Sequence, residues 1–226
     1  MRRILAALCF TWLLVVGAMA QRSASADTLS LRQQRIVAIA FHTGCGDLEA
    51  LKPALTAGLE AGLTVNEIRE VLVHAYAYCG FPRSLRALQS FIALLDDRKM
   101  QGIEDNVGRD AAPVSDERSR YDRGRDVLAQ ISGQPADAPK PAYAVFAPVI
   151  ERFLKEHLFA DLFDRDVLTN QERELATISV IAALGESVEP MLKGHLRICR
   201  NLGFTVPQLH QALSIVGISA PNRLIE

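Results

Sequence analysis

The chain has 226 residues, with 25 basic and 26 acidic side chains, so its formal net charge is −1. Hydrophobic residues make up 49% and charged residues 23%, which is ordinary for a globular protein. A charge this close to zero gives no electrostatic attraction to nucleic acid or to an anionic membrane, so we predict neither as a partner. The length allows one domain or two small ones, each able to bury a core.

Residues 1–20, MRRILAALCFTWLLVVGAMA, have the three parts of a secretory signal peptide. Arg2 and Arg3 precede an apolar run, residues 4–16, and Ala18-Met19-Ala20 offers small residues for cleavage. The run is shorter than the ~20 residues of a membrane span, so we predict a cleaved peptide in preference to an uncleaved anchor. We therefore expect a periplasmic or secreted protein with no membrane attachment after cleavage.

A helix is predicted from Thr64-Val65-Asn66-Glu67, where a hydroxyl precedes a carboxylate by three residues, as in a capping box. Gly80 and Pro82, in HAYAYCGFP (residues 74–82), break this helix. The apolar positions between these signals follow one helix face, namely Ile68, Val71, Leu72, Ala75 and Cys79. Runs of alternating β-branched residues are missing from the chain, so we predict an all-α protein.

Glu70, His74 and Tyr78 are spaced four residues apart in that helix and form a polar stripe beside the apolar face. Such a stripe either lines a pocket or stacks on a partner chain. We take His74 and Tyr78 as candidate site residues.

Three cysteines follow the predicted signal peptide, Cys45, Cys79 and Cys199, and no CxxC occurs. This pattern excludes a disulfide-rich scaffold and a zinc ribbon, and we predict neither a metal nor a cofactor. Cys45 precedes a predicted helix start at Asp47, a setting that favours partial thiolate character. Cys79 and Cys199 fall on apolar faces and are interpreted as packed thiols, although Cys79 stays with Cys45 as a redox candidate.

The chain contains an internal repeat. The stretch that begins at Leu29 and the stretch that begins at Leu168 align with a two-residue gap, and each predicts helix, glycine, helix, glycine and a capped helix. The matched pairs are Leu51 with Leu192, Leu55 with Leu196, Gly62 with Gly203, Thr64 with Thr205, and Leu72 with Leu213. An accidental likeness of amphipathic helices is the alternative, which the shared Gly-x-Thr-Val frame disfavours.

We therefore divide the chain into a first repeat, residues 27–97, a polar linker, 98–143, and a second repeat, 144–226, that is truncated at its C-terminus. Within the linker, residues 115–132 are expected to form a solvated helix. Residues 133–143 are rich in proline and alanine and are expected to be an extended connector.

Glu174 and His195 are the candidate acid–base pair of the second repeat. Glu174 lies near the start of an apolar helix, where its carboxylate either serves the helix dipole or faces apolar surroundings as an acid or base. His195 lies in the next predicted helix, and a turn at Gly185 would let the two meet. The alternative is a histidine that lies over the helix surface.

GLTVNEIREVLVHAYAYCGFPRSLRAL (residues 62–88) and RELATISVIAALGESVEPMLKGHLRICRNLGFT (173–205) resemble the carboxymuconolactone decarboxylase and alkylhydroperoxidase D-like family. The resemblance covers most of 29–97 and 144–217. It implies an all-helical fold that assembles into trimers or hexamers, sometimes with two copies of the unit in one chain, as here.

Redox members of that family carry Cys-x-x-Cys-x-x-x-His, and counted back from His195 the cysteines would fall at Val188 and Met191, so the dithiol is absent. In the first repeat the residues aligned with Glu174 and His195 are Arg35 and Ala54. Only the second repeat therefore keeps the glutamate and histidine of the decarboxylase-type branch.

The resemblance implies acid–base chemistry on a small lactone or carboxylic acid. His195 is the expected proton donor or oxyanion stabiliser, Glu174 the orienter or base, and His74 and Tyr78 complete the pocket. Two alternatives stay open: a peroxidase that uses a single cysteine, Cys45 or Cys79, and a non-catalytic helical module for binding or assembly.

Overall fold

The computed structural model describes residues 27–218 and 221–225, and within these ranges the regular secondary structure is helical, with no strand. The predicted all-α class is confirmed. The α-helices are α1 (Leu31–Cys45), α2 (Leu48–Glu60), α3 (Val65–Met100), α4 (Arg120–Ser132), α5 (Ala142–Phe146), α6 (Pro148–Phe153), α7 (Asn170–Ala183), α8 (Glu189–Asn201), α9 (Val206–Ile215) and α10 (Asn222–Ile225). A π-helix (Leu154–Leu162) follows α6, and a 3₁₀ turn (Glu186–Val188) precedes α8. The predicted signal peptide, residues 1–20, lies outside the described residues.

α3 begins where the sequence predicted a capping box. The Thr64 hydroxyl accepts from the Glu67 backbone N–H at 3.2 Å, and the Glu67 carboxylate accepts from the Thr64 N–H at 2.8 Å. A capping box that the sequence analysis did not identify, Ser30 with Gln33, starts α1. Reciprocal bonds also start α7, at Thr169 with Glu172, and α9, at Thr205 with Gln208.

α3 consists of two arms that fold back on each other at Gly80, whose φ of 79° and ψ of 161° are not helical. The Ser84 hydroxyl donates to the Leu72 carbonyl at 2.8 Å, whereas a straight helix would separate residues twelve apart by about 18 Å. The predicted break is confirmed. We call residues 65–79 the first arm of α3.

The two repeats pack through their first helices. α1 lies along α7, the first arm of α3 also contacts α7, and α9 contacts α1, so each repeat places its third helix against the first helix of the other. The leucines matched in the sequence, Leu51 with Leu192 and Leu55 with Leu196, are all buried in this shared core. The arrangement fits a tandem repeat.

Residues 98–143, which we expected to be a linker, contain α4, and α4 packs against the π-helix. Ile131 is fully buried there with Leu158 and Phe159. A side chain at Gly124 would overlap the carbonyl oxygen of Lys155, so the close approach of the two helices requires glycine. The segment therefore covers part of the second repeat, while its charged residues pair at the surface.

Candidate functional site

Glu174 on α7 and His195 on α8 are brought together by the turn between these helices. The Oε2 atom of Glu174 lies 2.9 Å from Nδ1 of His195. The Glu174 side chain is completely buried, and 17% of the His195 side chain is exposed. The first-turn position that complements the helix dipole is occupied by Glu172, which leaves Glu174 to face the histidine.

This contact fixes which histidine nitrogen can react. A carboxylate at Nδ1 holds the proton there and sets the orientation of the ring. Nε2 then bears a lone pair in the neutral imidazole and a proton in the imidazolium. Among the described residues Nε2 has no hydrogen-bond partner, so it is free to exchange a proton with a bound molecule.

Tyr78 contacts His195 directly, and Thr177 links Tyr78 to His74. The Thr177 hydroxyl oxygen lies 2.9 Å from His74 Nε2 and 3.1 Å from the Tyr78 hydroxyl oxygen. The Tyr78 ring meets the His195 ring edge-on, with centroids 5.8 Å apart. Sequence reasoning missed Thr177, although its spacing three residues after Glu174 on the same helix was a signal that would have found it.

The hydrogen bonds from His74 to Tyr78 have a preferred direction. Burial lowers the pKa of His74 well below its ordinary value, and the charges of Arg173 and His195 lower it further, so the ring is neutral. Its Nδ1 is buried without a partner. Because an orphaned buried N–H is rarer than an orphaned acceptor, we place the proton on Nε2, where it donates to Thr177.

The Thr177 hydroxyl then donates to the Tyr78 oxygen, which leaves the Tyr78 O–H free to donate elsewhere. Burial raises the pKa of Tyr78, and the negative charge of Glu174 raises it further. Tyr78 therefore remains protonated, and its O–H is available to donate to a molecule bound beside His195.

A buried ion cluster continues the polar stripe beyond His74. Arg173, fully buried on α7, contacts the Glu70 carboxylate at 3.3 Å and donates to the Arg165 carbonyl at 2.5 Å. Arg165 binds Glu70 through two nitrogens, at 2.9 and 2.5 Å. Burial raises the pKa of Glu70, but the hydrogen bonds and charges of the two arginines outweigh it and lower the pKa overall. The sequence analysis missed both arginines, since no local spacing relates them to Glu70.

Unpaired buried polar atoms concentrate at this site. Among the described residues five such side-chain atoms occur, and four of them belong to His74, Arg173 and Glu174. Each costs roughly 1–3 kcal/mol of stability. Such a concentration is expected where a fold serves a function in addition to its own packing.

His195 and Tyr78 lie in the wall of a cleft of about 990 Å³. The other walls come from α4, the π-helix, α7 and α8, and are mostly apolar. His74 does not line this cleft and Glu174 lies behind His195. The structure thus brings Glu174, His195 and Tyr78 together at the cleft and places His74 behind Tyr78.

The redox candidates lie elsewhere. Cys45 is exposed at the C-terminal end of α1, and burial and Asp47 raise its pKa more than Arg83 lowers it. Cys79 is half-buried, and burial raises its pKa. Neither thiol lines the cleft, and neither has the helix N-terminal position that lowers a thiol pKa. Cys199 is completely buried.

The described ranges hold no group of three or more His, Cys, Asp or Glu side chains placed to bind a metal ion. None of the helices there is long and apolar enough to cross a membrane.

Comparison with known proteins gives two findings. The sequence model of the carboxymuconolactone decarboxylase family matches residues 12–92 and 148–220, which is more than half of the chain and separates into the two repeats. An uncharacterized protein of Methanocaldococcus jannaschii is 30% identical over 74 residues, which cover 33% of this chain and 69% of that protein.

Proposed function

The chain belongs to the carboxymuconolactone decarboxylase family, and on this premise we propose that it is an acid–base enzyme that decarboxylates, or moves a proton on, a lactone or carboxylic acid. The observation that carries the proposal is the 2.9 Å contact between buried Glu174 and His195 at the wall of the cleft. It holds a histidine ready to exchange a proton at Nε2.

The residues divide the chemistry of a decarboxylation as follows. The bond between the substrate carbon and its carboxylate breaks, CO₂ leaves, and the electron pair passes to the adjacent carbonyl as an enolate. The Tyr78 O–H donates to the developing oxyanion. The His195 imidazolium, stabilised by Glu174, then delivers the Nε2 proton to carbon, which forms the C–H bond.

The test is a panel of lactone acids and 3-oxo acids, assayed for CO₂ release and for deuterium incorporation from D₂O. Replacement His195→Gln should abolish turnover of an active compound, and Tyr78→Phe should lower it about 10²-fold, as for loss of one oxyanion donor. The matched control is His157→Gln, because His157 also pairs with a carboxylate, Asp161 at 3.0 Å, but is half-exposed and outside the cleft. Equal effects of the two histidine changes would refute the proposal.

The thiol alternative is tested by hydroperoxide reduction with a dithiol reductant. The raised pKa values of Cys45 and Cys79 favour no turnover. Turnover that disappears only when Cys45, Cys79 and Cys199 are all changed to serine would establish a single-thiol peroxidase in place of the acid–base enzyme.

We also propose that the chain forms a homo-oligomer, as the family resemblance implies. Supporting this, α5 and α6 expose large apolar side chains, and Phe146 is 92% exposed. The others are Tyr143, Val145, Val149, Ile150 and Phe153. Light scattering of the unmodified protein should give a mass above that of one chain. The double change Phe146→Ser with Phe153→Ser should lower this mass. A monomeric unmodified protein would contradict the proposal.

Export likewise remains a proposal, supported by the three-part pattern of residues 1–20. Mass spectrometry of the protein from its native cells should find a chain that begins near residue 21. An intact N-terminus in the cytoplasm would contradict it.

A further inference from the structure

The cleft is large for a small lactone. Its volume of about 990 Å³ lies at the upper end of the roughly 300–1,000 Å³ found for pockets that hold drug-sized ligands. The size favours a substrate with a body extending well beyond the reacting group.

The walls favour an apolar body. α4 contributes Leu128, the π-helix contributes Leu154, Leu158 and Phe159, and α7 contributes Ile181. These side chains come from three separate elements and meet only in the folded chain. Apolar surface removed from water here stabilises a complex by roughly 25 cal/mol per Å².

In the part of the chain that the structure describes, the only full charges that line the cleft are those of Arg197 and Arg200, and no aspartate or glutamate of that part lines it. Among the described residues neither arginine has an acidic partner, and Arg200 donates only to the Phe204 carbonyl at 3.3 Å. Many arginines elsewhere in the described ranges do pair with an acid, such as Arg98 with Asp105 at 2.8 Å. Two unneutralised guanidiniums beside an apolar cleft, in a chain of net charge −1, point to an anionic group on the ligand.

The arginines and His195 stand at opposite edges of the same wall. Residues two apart on a helix point about 200° from one another, so Arg197 lies at the opposite margin of the α8 face from His195. Arg200 is three residues after Arg197 and therefore lies on the same side of the helix as Arg197. Between these edges is Gly194, where an added Cβ would meet no atom within 4 Å. The anionic group and the reacting atom are therefore held apart, with open space between them.

We propose that the cleft binds an amphipathic carboxylate. Its carboxylate pairs with Arg197 and Arg200, its apolar body lies against Leu158 and Phe159, and its reacting carbon approaches Nε2 of His195. The identity of the reacting group rests on the function proposed above, whereas the binding mode does not.

The experiment is isothermal titration calorimetry of the purified protein with decanoate, decanol and acetate. We expect decanoate to bind, decanol to bind at least tenfold more weakly because it lacks the charge, and acetate to show no binding. The double change Arg197→Gln with Arg200→Gln should weaken decanoate about tenfold and leave decanol unchanged. Arg152→Gln is the control, because Arg152 is exposed and unpaired among the described residues but lies outside the cleft.

A second variant tests the place of binding without disturbing the core. Gly194→Leu puts a side chain into the open space of the cleft and raises helix propensity, so the fold is kept while binding of both decanoate and decanol is lost. Equal affinity for decanoate and decanol, no binding of either, or the same loss with Arg152→Gln would each overturn the proposal.

His195→Gln separates this inference from the proposed function. It should remove turnover, while the variant still binds decanoate more tightly than decanol because Arg197 and Arg200 are kept. If the protein turns over small lactones but does not bind decanoate, only the proposal of an amphipathic substrate is overturned. If the protein binds decanoate and its turnover survives His195→Gln, only the proposed acid–base function is overturned.

Discussion

In the second half of the molecule α7 and α8 hold Glu174 against His195, whereas the corresponding helices of the first half, α1 and α2, carry Arg35 and Ala54. The leucines around both pairs are equally buried. The fold therefore does not require the acid–base pair, since the same helices pack without it. What the pair adds is a reactive nitrogen facing the cleft. An unpaired buried atom occurs in both halves, Glu174 Oε1 in the second and Arg35 Nε in the first, so this cost does not distinguish them.

The third helices of the two repeats, the first arm of α3 and α9, also differ in what they contribute to the other repeat. The first arm of α3 presents His74 to α7 of the other repeat, where Thr177 accepts its hydrogen bond. At the corresponding positions of the opposite contact, α9 has Ile215 and α1 has Ala38. The first repeat thus supplies a histidine to the site of the second, whereas the matched positions of the opposite contact, Ile215 and Ala38, have apolar side chains that cannot form such a hydrogen bond.

The largest expected effect in this comparison comes from Glu174→Gln. An amide in place of the carboxylate no longer stabilises the imidazolium of His195, so kcat/KM should fall by about 10²–10⁴-fold. Steady-state kinetics across pH would measure this. Asp161→Asn is the matched control, because Asp161 pairs with the exposed His157; a similar loss there would show that the change acts on folding.

Next is Glu70→Gln, which removes the countercharge of Arg173 and Arg165. Because Arg173 is completely buried, breaking this cluster should lower the free energy of unfolding by about 3–5 kcal/mol. Denaturant unfolding measures the loss. Asp110→Asn, which breaks the exposed contact with Arg69, should cost less than about 1 kcal/mol. Equal effects would mean that the buried cluster is not a structural anchor.

A smaller effect concerns pH and His74. Since the pKa of His74 is lowered in the fold, the unfolded chain binds a proton below about pH 6.5 that the folded chain does not. The free energy of unfolding is therefore undiminished by His74 above pH 6.5. As the pH falls below that value it decreases, by up to about 1.4 kcal/mol per pH unit. Urea unfolding between pH 7.5 and 5.5 should show this slope, and His74→Gln should flatten it while His157→Gln does not. An unchanged slope in the His74 variant would contradict a neutral buried ring.

The smallest expected effect is that of rebuilding the lost pair. We would introduce Arg35→Glu and Ala54→His together into the His195→Gln variant. The resulting triple variant should show no more turnover than the His195→Gln variant alone. The pair would face Ala38 and Ile215 in place of a threonine and a histidine. Recovered activity would show that glutamate and histidine suffice without the helix supplied by the other repeat.

Local signals predicted most of the fold. The capping boxes, the break at Gly80 and the repeated helix lengths each depend on residues within a few positions of one another. The meeting of Glu174 and His195 was also predictable, since it needs only two helices joined by a short turn.

The rest of the site depends on distant contacts. Glu70 meets Arg165 and Arg173 across 95 and 103 residues, and no spacing in the sequence encodes such a pair. α4 was expected to be a solvated helix because charges dominate it, yet Leu128 and Ile131 turn inward. The cleft was therefore missed, since one of its walls comes from a segment interpreted as a linker.

The packing of α1 on α7 has a consequence for how the chain is made. About 125 residues separate the end of α1 from the start of α7, so at roughly 5–20 residues per second α1 waits about 6–25 s on the ribosome for its neighbour. During that interval the side of α1 that α7 later covers remains open to water or to a chaperone. An apolar helix face left uncovered during synthesis favours aggregation, so the nascent first half is exposed to that hazard until α7 emerges.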